Sequence, residues 1–295
     1  MSLPIFSPTD DPGPNFMATL ARTYQRYPGW YLRGSGMETM VGEPDGINSS
    51  LPSWTGNRIS DLIRHGTTIL ALRYRDGVIV AGDRRATEGH LIAYRNMEKV
   101  MRVDQYSAMA IAGAAGPAVE MARLFSTQLE HYEKVEGVSL STERKANQLG
   151  QMVREHLALA MRGMLVIPIF AGYDLQAGNG RIYTFDVTGG HYIEGEHAAE
   201  GSGGRNARSV LKQFWHAEID RDAALALAIE ALVEAADEDI ATGPPDTLRG
   251  IYPIVATITS SGYQAIDDDE TASLVHSLYD RLQTRTETGE RRWPR

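Results

Sequence analysis

The strongest constraint on the fold is a pair of strand-like runs that are apolar on both faces. Residues Thr68–Tyr74 read T-I-L-A-L-R-Y and residues 78–81 read V-I-V-A, with the turn-forming Asp76-Gly77 between them. A hairpin with two apolar faces belongs to a sheet that is covered on each side. The sequence therefore predicts further layers above and below this hairpin.

The order of the remaining patterns indicates what those layers are. Strands are predicted at residues 90–95, 98–103, 106–112, 166–175, 181–187, 190–194 and 251–259, and helices at residues 118–132, 146–164, 204–214, 221–240 and 269–285. Blocks of strands alternate with pairs of helices, unlike the regular alternation of a parallel sheet. We predict an α+β fold, a four-layer αββα sandwich of two antiparallel sheets between helix layers.

The first 66 residues differ from the rest of the chain. They hold seven of the thirteen prolines and eight glycines, and they have no sustained helical or alternating apolar period. This composition is typical of an extension and not of a packed domain. The chain is therefore divided into an extension, residues 1–66, and a domain, residues 67–295.

Composition excludes several classes of site and partner. The chain has no cysteine, which excludes disulfides, thiolate nucleophiles, thiolate zinc sites and iron–sulfur clusters. The formal net charge is −9 and no block of basic residues is present, so we expect no nucleic-acid partner. No apolar run is long enough for a bilayer span, and residues 1–16 lack the charged and apolar regions of a secretory signal. We expect a cytoplasmic protein.

Most familiar catalytic motifs are missing from the sequence. There is no G-x-S-x-G, no H-E-x-x-H and no Walker lysine after a glycine-rich loop. Residues 201–204 read G-S-G-G before a predicted helix, where backbone N–H groups could hold an anion. A turn with a helix cap explains the same residues, and the motif alone leaves both interpretations open.

The boundary between extension and domain offers another kind of nucleophile. If the chain were cut after Gly66, the α-amine of Thr67, with an unperturbed pKa of about 7.7–8.0, would be a general base beside the threonine hydroxyl. Removal of the extension would then create the active site. The alternative is that Gly66-Thr67-Thr68 only begins a strand.

An ordered series of motifs resembles the β-subunits of the 20S proteasome. The motifs are H-G-T-T-I-L-A-L at 65–72, V-I-V-A-G-D-R-R-A-T at 78–87, E-K-V at 98–100, A-I-A-G-A-A-G at 110–116 and G-S-G-G at 201–204. Two further segments, L-E-H-Y-E-K-V-E-G-V at 129–138 and A-T-G-P-P-D-T-L-R-G at 241–250, resemble the actinobacterial type. The likeness extends over about residues 65–263 and implies an Ntn-hydrolase fold.

The resemblance implies a threonine endopeptidase made as a zymogen. Residues 1–66 would be a propeptide, and the Gly66–Thr67 bond would be cut autocatalytically to leave Thr67 as nucleophile and base. Asp83 and Lys99 match the family's acidic residue and lysine, where an ammonium favours the threonine alkoxide and a carboxylate fixes that ammonium. As isolated residues, the two would be interpreted as a surface ion pair.

Three more residues are assigned by the same resemblance. Gly113 matches the glycine whose N–H stabilises the oxyanion. Ser202 and Asp246 match the residues that hydrogen-bond the freed amine. The broader family has a serine three positions after that aspartate, whereas this chain has Arg249, so we expect the serine's hydrogen bond to be missing or replaced.

Substrate-binding residues follow from the resemblance as well. Thr87 would pair backbone to backbone with an extended substrate. The first specificity pocket would be lined by Ala86, Met97, Ile111, Ala115 and Val119. This apolar lining implies cleavage after hydrophobic residues, because a charged side chain would lose its hydration there. The same residues would equally suit an ordinary core.

The resemblance also implies partners. The subunit would form homo-heptameric β rings within an α7β7β7α7 core, capped by rings of a separate α-subunit. An ATPase ring would deliver unfolded or tagged proteins through the α rings, and no cofactor or metal is implied. Two alternatives remain at this stage: the bacterial two-ring threonine peptidase, whose subunits are shorter, and a catalytically silent ring subunit. Residues 265–295 are either a contact arm or a solvated tail.

Overall fold

The structure, a computed structural model, describes residues 66–88 and 91–288. The strands are β1 (Thr68–Tyr74), β2 (Gly77–Gly82), β3 (Ala86–Glu88), β4 (Leu91–Tyr94), β5 (Val100–Asp104), β6 (Ser107–Gly113), β7 (Val166–Asp174), β8 (Asn179–Phe185), β9 (His191–Glu194), β10 (His197–Gly201), β11 (Ile254–Thr259) and β12 (Gly262–Ala265). The helices are α1 (Ala115–Glu136), α2 (Thr142–Glu155), α3 (Leu157–Ala160), α4 (Gly204–Phe214), α5 (Arg221–Glu238) and α6 (Asp268–Thr288). Apart from Gly66, the predicted propeptide lies outside the described residues, as does the end of the predicted tail.

Two antiparallel sheets form the centre of the domain. The first sheet has the strand order β10-β1-β2-β11-β12 and the second has the order β5-β6-β7-β8-β9, while β3 and β4 pair separately. In the first sheet, Thr68 pairs with Gly201 and Ile69 pairs with Gly82. This register brings the start of β1, the end of β2 and the end of β10 together at one end of the sheet.

Alternate residues of β1 contribute to two different cores. Ile69 and Ala71 lie in the core between the sheets, together with residues of β6, β7 and β8. Leu70 and Leu72 lie in a second core that packs against α4, α5 and α6. A third core joins the outer face of the second sheet to α1 and α2. The four-layer αββα sandwich is therefore confirmed, and it explains why the hairpin is apolar on both faces.

Strand β10 is a difference from the sequence prediction. Its residues, H-A-A-E-G, are small or charged and carry no strand signal of their own. They form a strand because they pair with β1. Ala198 is buried in the core between the sheets, and Ala199 is buried in the core against α4, α5 and α6. Tertiary pairing, which local patterns do not encode, decides this element.

Two predicted boundaries also differ from the structure. The helix predicted over residues 146–164 is interrupted at His156, whose ring Nδ1 lies 2.9 Å from the carbonyl oxygen of Met152. The strand predicted over residues 251–259 begins only at Ile254, because Pro253 lacks the N–H that a ladder needs.

Candidate active site

Thr67 lies immediately before β1 in an almost fully buried position. Its side chain and backbone together are only 4% exposed, and its bond to Gly66 is intact. The Thr67 Oγ1 atom donates a hydrogen bond of 2.7 Å to the carbonyl oxygen of Gly66. The hydroxyl is thus held against the peptide group that precedes it.

The G-S-G-G segment wraps around Thr67 where β10 leads into α4. The Thr67 nitrogen donates to Ser202 Oγ at 3.2 Å, and the Ser202 nitrogen donates to the Thr67 carbonyl oxygen at 2.9 Å. Gly201 has a φ of 96°, and a Cβ there would overlap the Thr67 carbonyl oxygen. Glycine is required at this position because the segment approaches Thr67 so closely.

Asp83 directly follows β2, and its fully buried carboxylate accepts four hydrogen bonds. Oδ1 accepts from the Thr68 nitrogen at 2.8 Å and from Lys99 Nζ at 2.7 Å. Oδ2 accepts from the backbone nitrogens of Arg85 and Gly243 at 2.8 and 2.9 Å. A buried charge needs partners of this kind, and here they connect the carboxylate to the segment that carries Thr67.

Lys99 is the other half of this fully buried pair. Its ammonium group also donates to the backbone carbonyl oxygen of Arg85 at 2.5 Å. Burial lowers the pKa of Lys99 below its ordinary value of 10.5, and the neighbouring Asp83 opposes that shift. The negative charge of Asp239 also favours the ammonium form and so indicates that Asp239 belongs to the same electrostatic environment.

Asp239 is a site residue that the sequence reasoning missed. It follows the last residue of α5, and its Oδ2 accepts from Ser202 Oγ at 2.5 Å and from Thr242 Oγ1 at 2.6 Å. The Thr242 hydroxyl lies 2.7 Å from the Thr68 hydroxyl. A chain of hydrogen bonds therefore runs from the Thr67 nitrogen through Ser202 to the Asp239 carboxylate.

Comparison with known proteins agrees with this geometry. The model of the proteasome subunit family matches residues 63–248. The chain belongs to the proteasome subunit family. Proteins named proteasome subunit beta are 51% identical to it over 268 residues in Acidimicrobium ferrooxidans, 50% over 217 residues in Streptomyces griseus and 48% over 266 residues in Rhodococcus jostii.

These relatives are matched over most of their length. The matches cover 91%, 74% and 88% of this chain and 90%, 77% and 89% of the respective relatives. They confirm the resemblance to proteasome β-subunits of the actinobacterial type. The family match begins four residues before Thr67 and ends at residue 248, so it includes every element that contributes to the site described above.

Asp246 does not occupy the position within this proteasome-family site that the sequence reasoning gave it. Its carboxylate pairs with the Arg249 guanidinium at 2.7 Å, and no described hydrogen bond joins it to Ser202 or Thr67. This arginine, through its direct hydrogen bond, is the main reason that the pKa of Asp246 is below its ordinary value. The acidic group beside Ser202 is Asp239 instead.

The signal for Asp239 was present in the sequence. The family pattern described above has a serine three positions after the aspartate, and Thr242, which also carries a hydroxyl, stands three positions after Asp239 and is followed by Gly243. A Cβ on Gly243 would lie 2.7 Å from the Arg85 Cβ, so this glycine permits close packing beside Asp83. The apparent departure at Arg249 came from aligning the pattern on the wrong aspartate.

Gly113 lies where β6 ends, just before the N-terminus of α1. Its φ is 110°, and a Cβ there would overlap the carbonyl oxygen of Leu165. The end of β6 lies near the Thr67 segment, because a Cβ built on Gly201 would be 3.5 Å from the Ala112 Cβ. The position therefore needs glycine, and its neighbour Ala112 packs beside the Gly201 segment that contacts Thr67.

The residues expected to bind substrate come from β3, from the segment between β4 and β5, from β6 and from α1. Ala86 and Thr87 are half-buried on β3, and the Met97 nitrogen donates to the Arg84 carbonyl oxygen at 2.9 Å. Ile111 is buried on β6, where its nitrogen donates to the Lys99 carbonyl oxygen at 2.9 Å. This bond joins the Ile111 backbone to that of Lys99, whereas the Ile111 side chain lies in the third core, against α1 and α2.

Ala115 and Val119 lie on the first turns of α1. Together they line a hollow on the outward face of this helix, whose other residues are Gly116, Glu120, Arg123, Leu124 and Thr127. The other four residues expected to bind substrate, Ala86, Thr87, Met97 and Ile111, do not line this hollow.

Within residues 66–88 and 91–288, no group of acidic and histidine side chains is arranged to hold a metal ion. No helix in that part of the chain is both long and apolar enough to cross a bilayer.

Proposed function

We propose that this chain is a threonine endopeptidase, the proteolytic β-subunit of a 20S proteasome core, with Thr67 as its nucleophile. The observation that supports this most strongly is the buried Asp83–Lys99 pair, whose carboxylate accepts a hydrogen bond from the nitrogen of Thr68. A buried ion pair is costly, so its position beside a buried threonine favours a chemical role over a structural one.

The first reaction is cleavage of the chain itself between Gly66 and Thr67. Thr67 Oγ1 attacks the carbonyl carbon of Gly66, and the carbon–nitrogen bond of the tetrahedral intermediate then breaks. The hydroxyl proton ends on the Thr67 nitrogen, which becomes an amine, and Gly66 is left as an ester on Thr67 Oγ1. Water hydrolyses that ester and restores the hydroxyl. The 2.7 Å contact between Oγ1 and the Gly66 oxygen supports this assignment.

The second reaction is hydrolysis of peptide substrates. The freed amine of Thr67 takes the proton of its own hydroxyl, so one residue supplies both nucleophile and base. Ser202 orients the amine, and Asp239 holds Ser202 in the accepting orientation through a charge-assisted hydrogen bond. The backbone N–H of Gly113 stabilises the oxyanion.

Lys99 supplies positive charge where the alkoxide forms. Lys99 is fully buried, and in a buried site the attraction between an ammonium and an alkoxide is much stronger than in solvent. Asp83 keeps the ammonium in place with a 2.7 Å bond and is itself fixed by three backbone N–H donors. The arrangement is therefore ready before substrate arrives, which is the condition for electrostatic catalysis.

Assembly and substrate class follow from the same proposed role. The subunit would form β rings in an α7β7β7α7 core, receive unfolded or tagged proteins from an ATPase ring, and act in the cytoplasm without a metal or cofactor. The expected pocket, Ala86, Met97, Ile111, Ala115 and Val119, is apolar, so cleavage after Leu, Phe or Tyr should be faster than after Asp or Arg.

The experiment compares the full-length chain with Thr67→Ala and Thr67→Ser after co-production with the α-subunit. The wild type should lose residues 1–66 and hydrolyse fluorogenic peptides. Thr67→Ala should assemble, keep residues 1–66 and show no hydrolysis, whereas Thr67→Ser should retain part of both activities because it keeps the hydroxyl. Hydrolysis by Thr67→Ala at the wild-type rate would show that the nucleophile lies elsewhere.

A further inference from the structure

Gly66, the residue on the acyl side of the proposed cleavage, is held at its three backbone groups. Its nitrogen donates to Thr87 Oγ1 at 3.1 Å, and its carbonyl oxygen accepts from Thr67 Oγ1 at 2.7 Å. Its Cα packs against Ala241, since a Cβ built on Gly66 would overlap the Ala241 side chain and lie 2.5 Å from the Ala241 Cα. The first of these contacts uses the side chain of Thr87, whereas the resemblance assigned a role only to the backbone of Thr87.

A glycine needs such restraint more than other residues do. Without a Cβ, Gly66 has access to a wider range of φ and ψ than any other residue, so the chain on its acyl side does not by itself hold the Gly66–Thr67 peptide group in place. An anchored Gly66 nitrogen limits how far that peptide group can turn about the N–Cα bond of Thr67, and this rotation helps to set the distance from the Gly66 carbonyl carbon to Thr67 Oγ1. The backbone of Ala241 closes one side of Gly66 and forbids a side chain there. The hydrogen bond to Thr87 then fixes the nitrogen, so that little rotational freedom remains.

Local structure aims the Thr87 hydroxyl at Gly66. The pairing of β3 with β4 is irregular between Ala86 and Thr87, which directs side chains differently from a regular strand. Threonine is β-branched, so few orientations are open to its hydroxyl once the backbone is fixed. Thr87 is half-buried, and water therefore competes less with this hydrogen bond than at the surface.

We propose that the Thr87 hydroxyl is a positioning group for the cleavage of the Gly66–Thr67 bond. It holds the Gly66 nitrogen so that the adjacent carbonyl stays against Thr67 Oγ1. The inference rests on the proposed function and adds a role specific to the uncleaved chain. After cleavage Gly66 departs and the hydroxyl loses this partner, whereas the backbone of Thr87 remains for substrates.

Thr87→Val tests the proposal because it removes the hydroxyl and keeps the branched shape, and Thr87→Ser is the matched control that keeps the hydroxyl. Each full-length variant is co-produced with the α-subunit, and the fraction of chains beginning at Thr67 is followed by intact mass in assembled particles. Loss of one hydrogen bond should slow cleavage by about three- to ten-fold in Thr87→Val. Thr87→Ser should stay within about two-fold of the wild type on the same scale.

A second measurement, the rate of peptide hydrolysis, distinguishes a positioning role of Thr87 from a general distortion of the active site. In particles that have matured, kcat for peptide hydrolysis per inhibitor-titrated site should fall by a smaller factor than the cleavage rate. If Thr87→Val assembles poorly, Thr87→Ala replaces it, with the same expectation. Cleavage of Thr87→Val at the wild-type rate would overturn the proposal, as would equal losses in both rates that serine does not restore. A wild-type chain that never cleaves would instead refute the proposed function, and this inference with it.

Discussion

Two lysine–carboxylate pairs of similar length show how differently the same contact can act. Lys99 Nζ lies 2.7 Å from Asp83 with neither side chain exposed, whereas Lys134 Nζ lies 2.5 Å from Glu130 on α1 with 73% and 65% of the side chains exposed. Distance therefore does not distinguish them. Burial does, because water and salt screen the exposed pair and leave the buried one almost unscreened.

Their surroundings differ in the same sense. The carboxylate of Asp83 has three backbone donors besides the lysine, whereas Glu130 has Lys134 one helical turn away. Burial lowers the pKa of Lys99, while the direct hydrogen bond from Lys134 lowers the pKa of Glu130. The buried pair is thus fixed against the backbone of Thr68, the residue after Thr67, whereas the exposed pair is a surface contact.

The largest effect is expected from Lys99→Met. Asp83 would keep a buried charge without its cation, so the free energy of unfolding of the full-length chain should fall by about 3–5 kcal/mol. No chain beginning at Thr67 should appear. Urea unfolding and intact mass measure the two effects. Lys134→Met is the matched control and should leave both unchanged; normal maturation of Lys99→Met would contradict the role given to the buried pair.

Asp239→Asn should have the next largest effect. The variant keeps the shape of the side chain but removes the charge that accepts from Ser202, so kcat/KM for peptide hydrolysis should fall by about 10- to 100-fold. Asp246→Asn serves as the comparison and should cost less, because Asp246 pairs with Arg249. A greater loss from Asp246→Asn than from Asp239→Asn would return the role to Asp246.

Lys145→Met separates burial from chemistry. Lys145 Nζ lies 2.6 Å from Asp104, with 7% and 15% of the side chains exposed, but this pair joins α2 to the second sheet. Its loss should lower the free energy of unfolding by about 2 kcal/mol, less than for a fully buried pair. The proportion of mature chains among assembled particles should not change. If Lys145→Met also blocked maturation, the loss of any buried ion pair would be enough to explain the effect of Lys99→Met.

The smallest effect is expected in the pH dependence of kcat/KM, whose alkaline side should lie at a lower pH than an ordinary lysine would give. If Lys99 acts as an ammonium, activity is lost as pH rises through its pKa, and burial has lowered that pKa below 10.5. Activity should rise with pH on the acid side, where the Thr67 amine loses its proton. The plot of kcat/KM against pH should therefore descend before pH 10.5, in Lys134→Met as in the wild type. A plateau continuing past that value would exclude the ammonium form.

Local patterns predicted the parts of the fold that carry their own signal. The apolar faces of β1 and β2 required two covering layers, and the structure places a sheet on one side and helices on the other. Strand β10 could not be predicted because its residues, H-A-A-E-G, become a strand only by pairing with β1. The break at His156 depends on a side-chain contact to the backbone, which apolar periodicity does not record.

The candidate site was predicted unevenly for a similar reason. Asp83 and Lys99 lie within motifs whose neighbours identify them, and the structure joins them in one buried pair. Asp239 and Asp246 both follow α5, and the sequence reasoning chose Asp246 although the spacing from Asp239 to Thr242 fits the family pattern better. In the folded chain the Asp239 carboxylate accepts hydrogen bonds from the hydroxyls of Ser202 and Thr242. The contact with Ser202 joins residues 37 positions apart, which spacing along the chain does not show.

The most direct test of Thr67 as an N-terminal nucleophile is the intact mass of the chain from particles assembled with the α-subunit, before and after treatment with an epoxyketone. Such an electrophile reacts with an N-terminal threonine through both its hydroxyl and its amine. If Thr67 is the nucleophile, the chain should begin at Thr67 and gain the mass of one inhibitor molecule. A chain that keeps residues 1–66 in assembled particles and gains no inhibitor would contradict this prediction and indicate a purely architectural subunit.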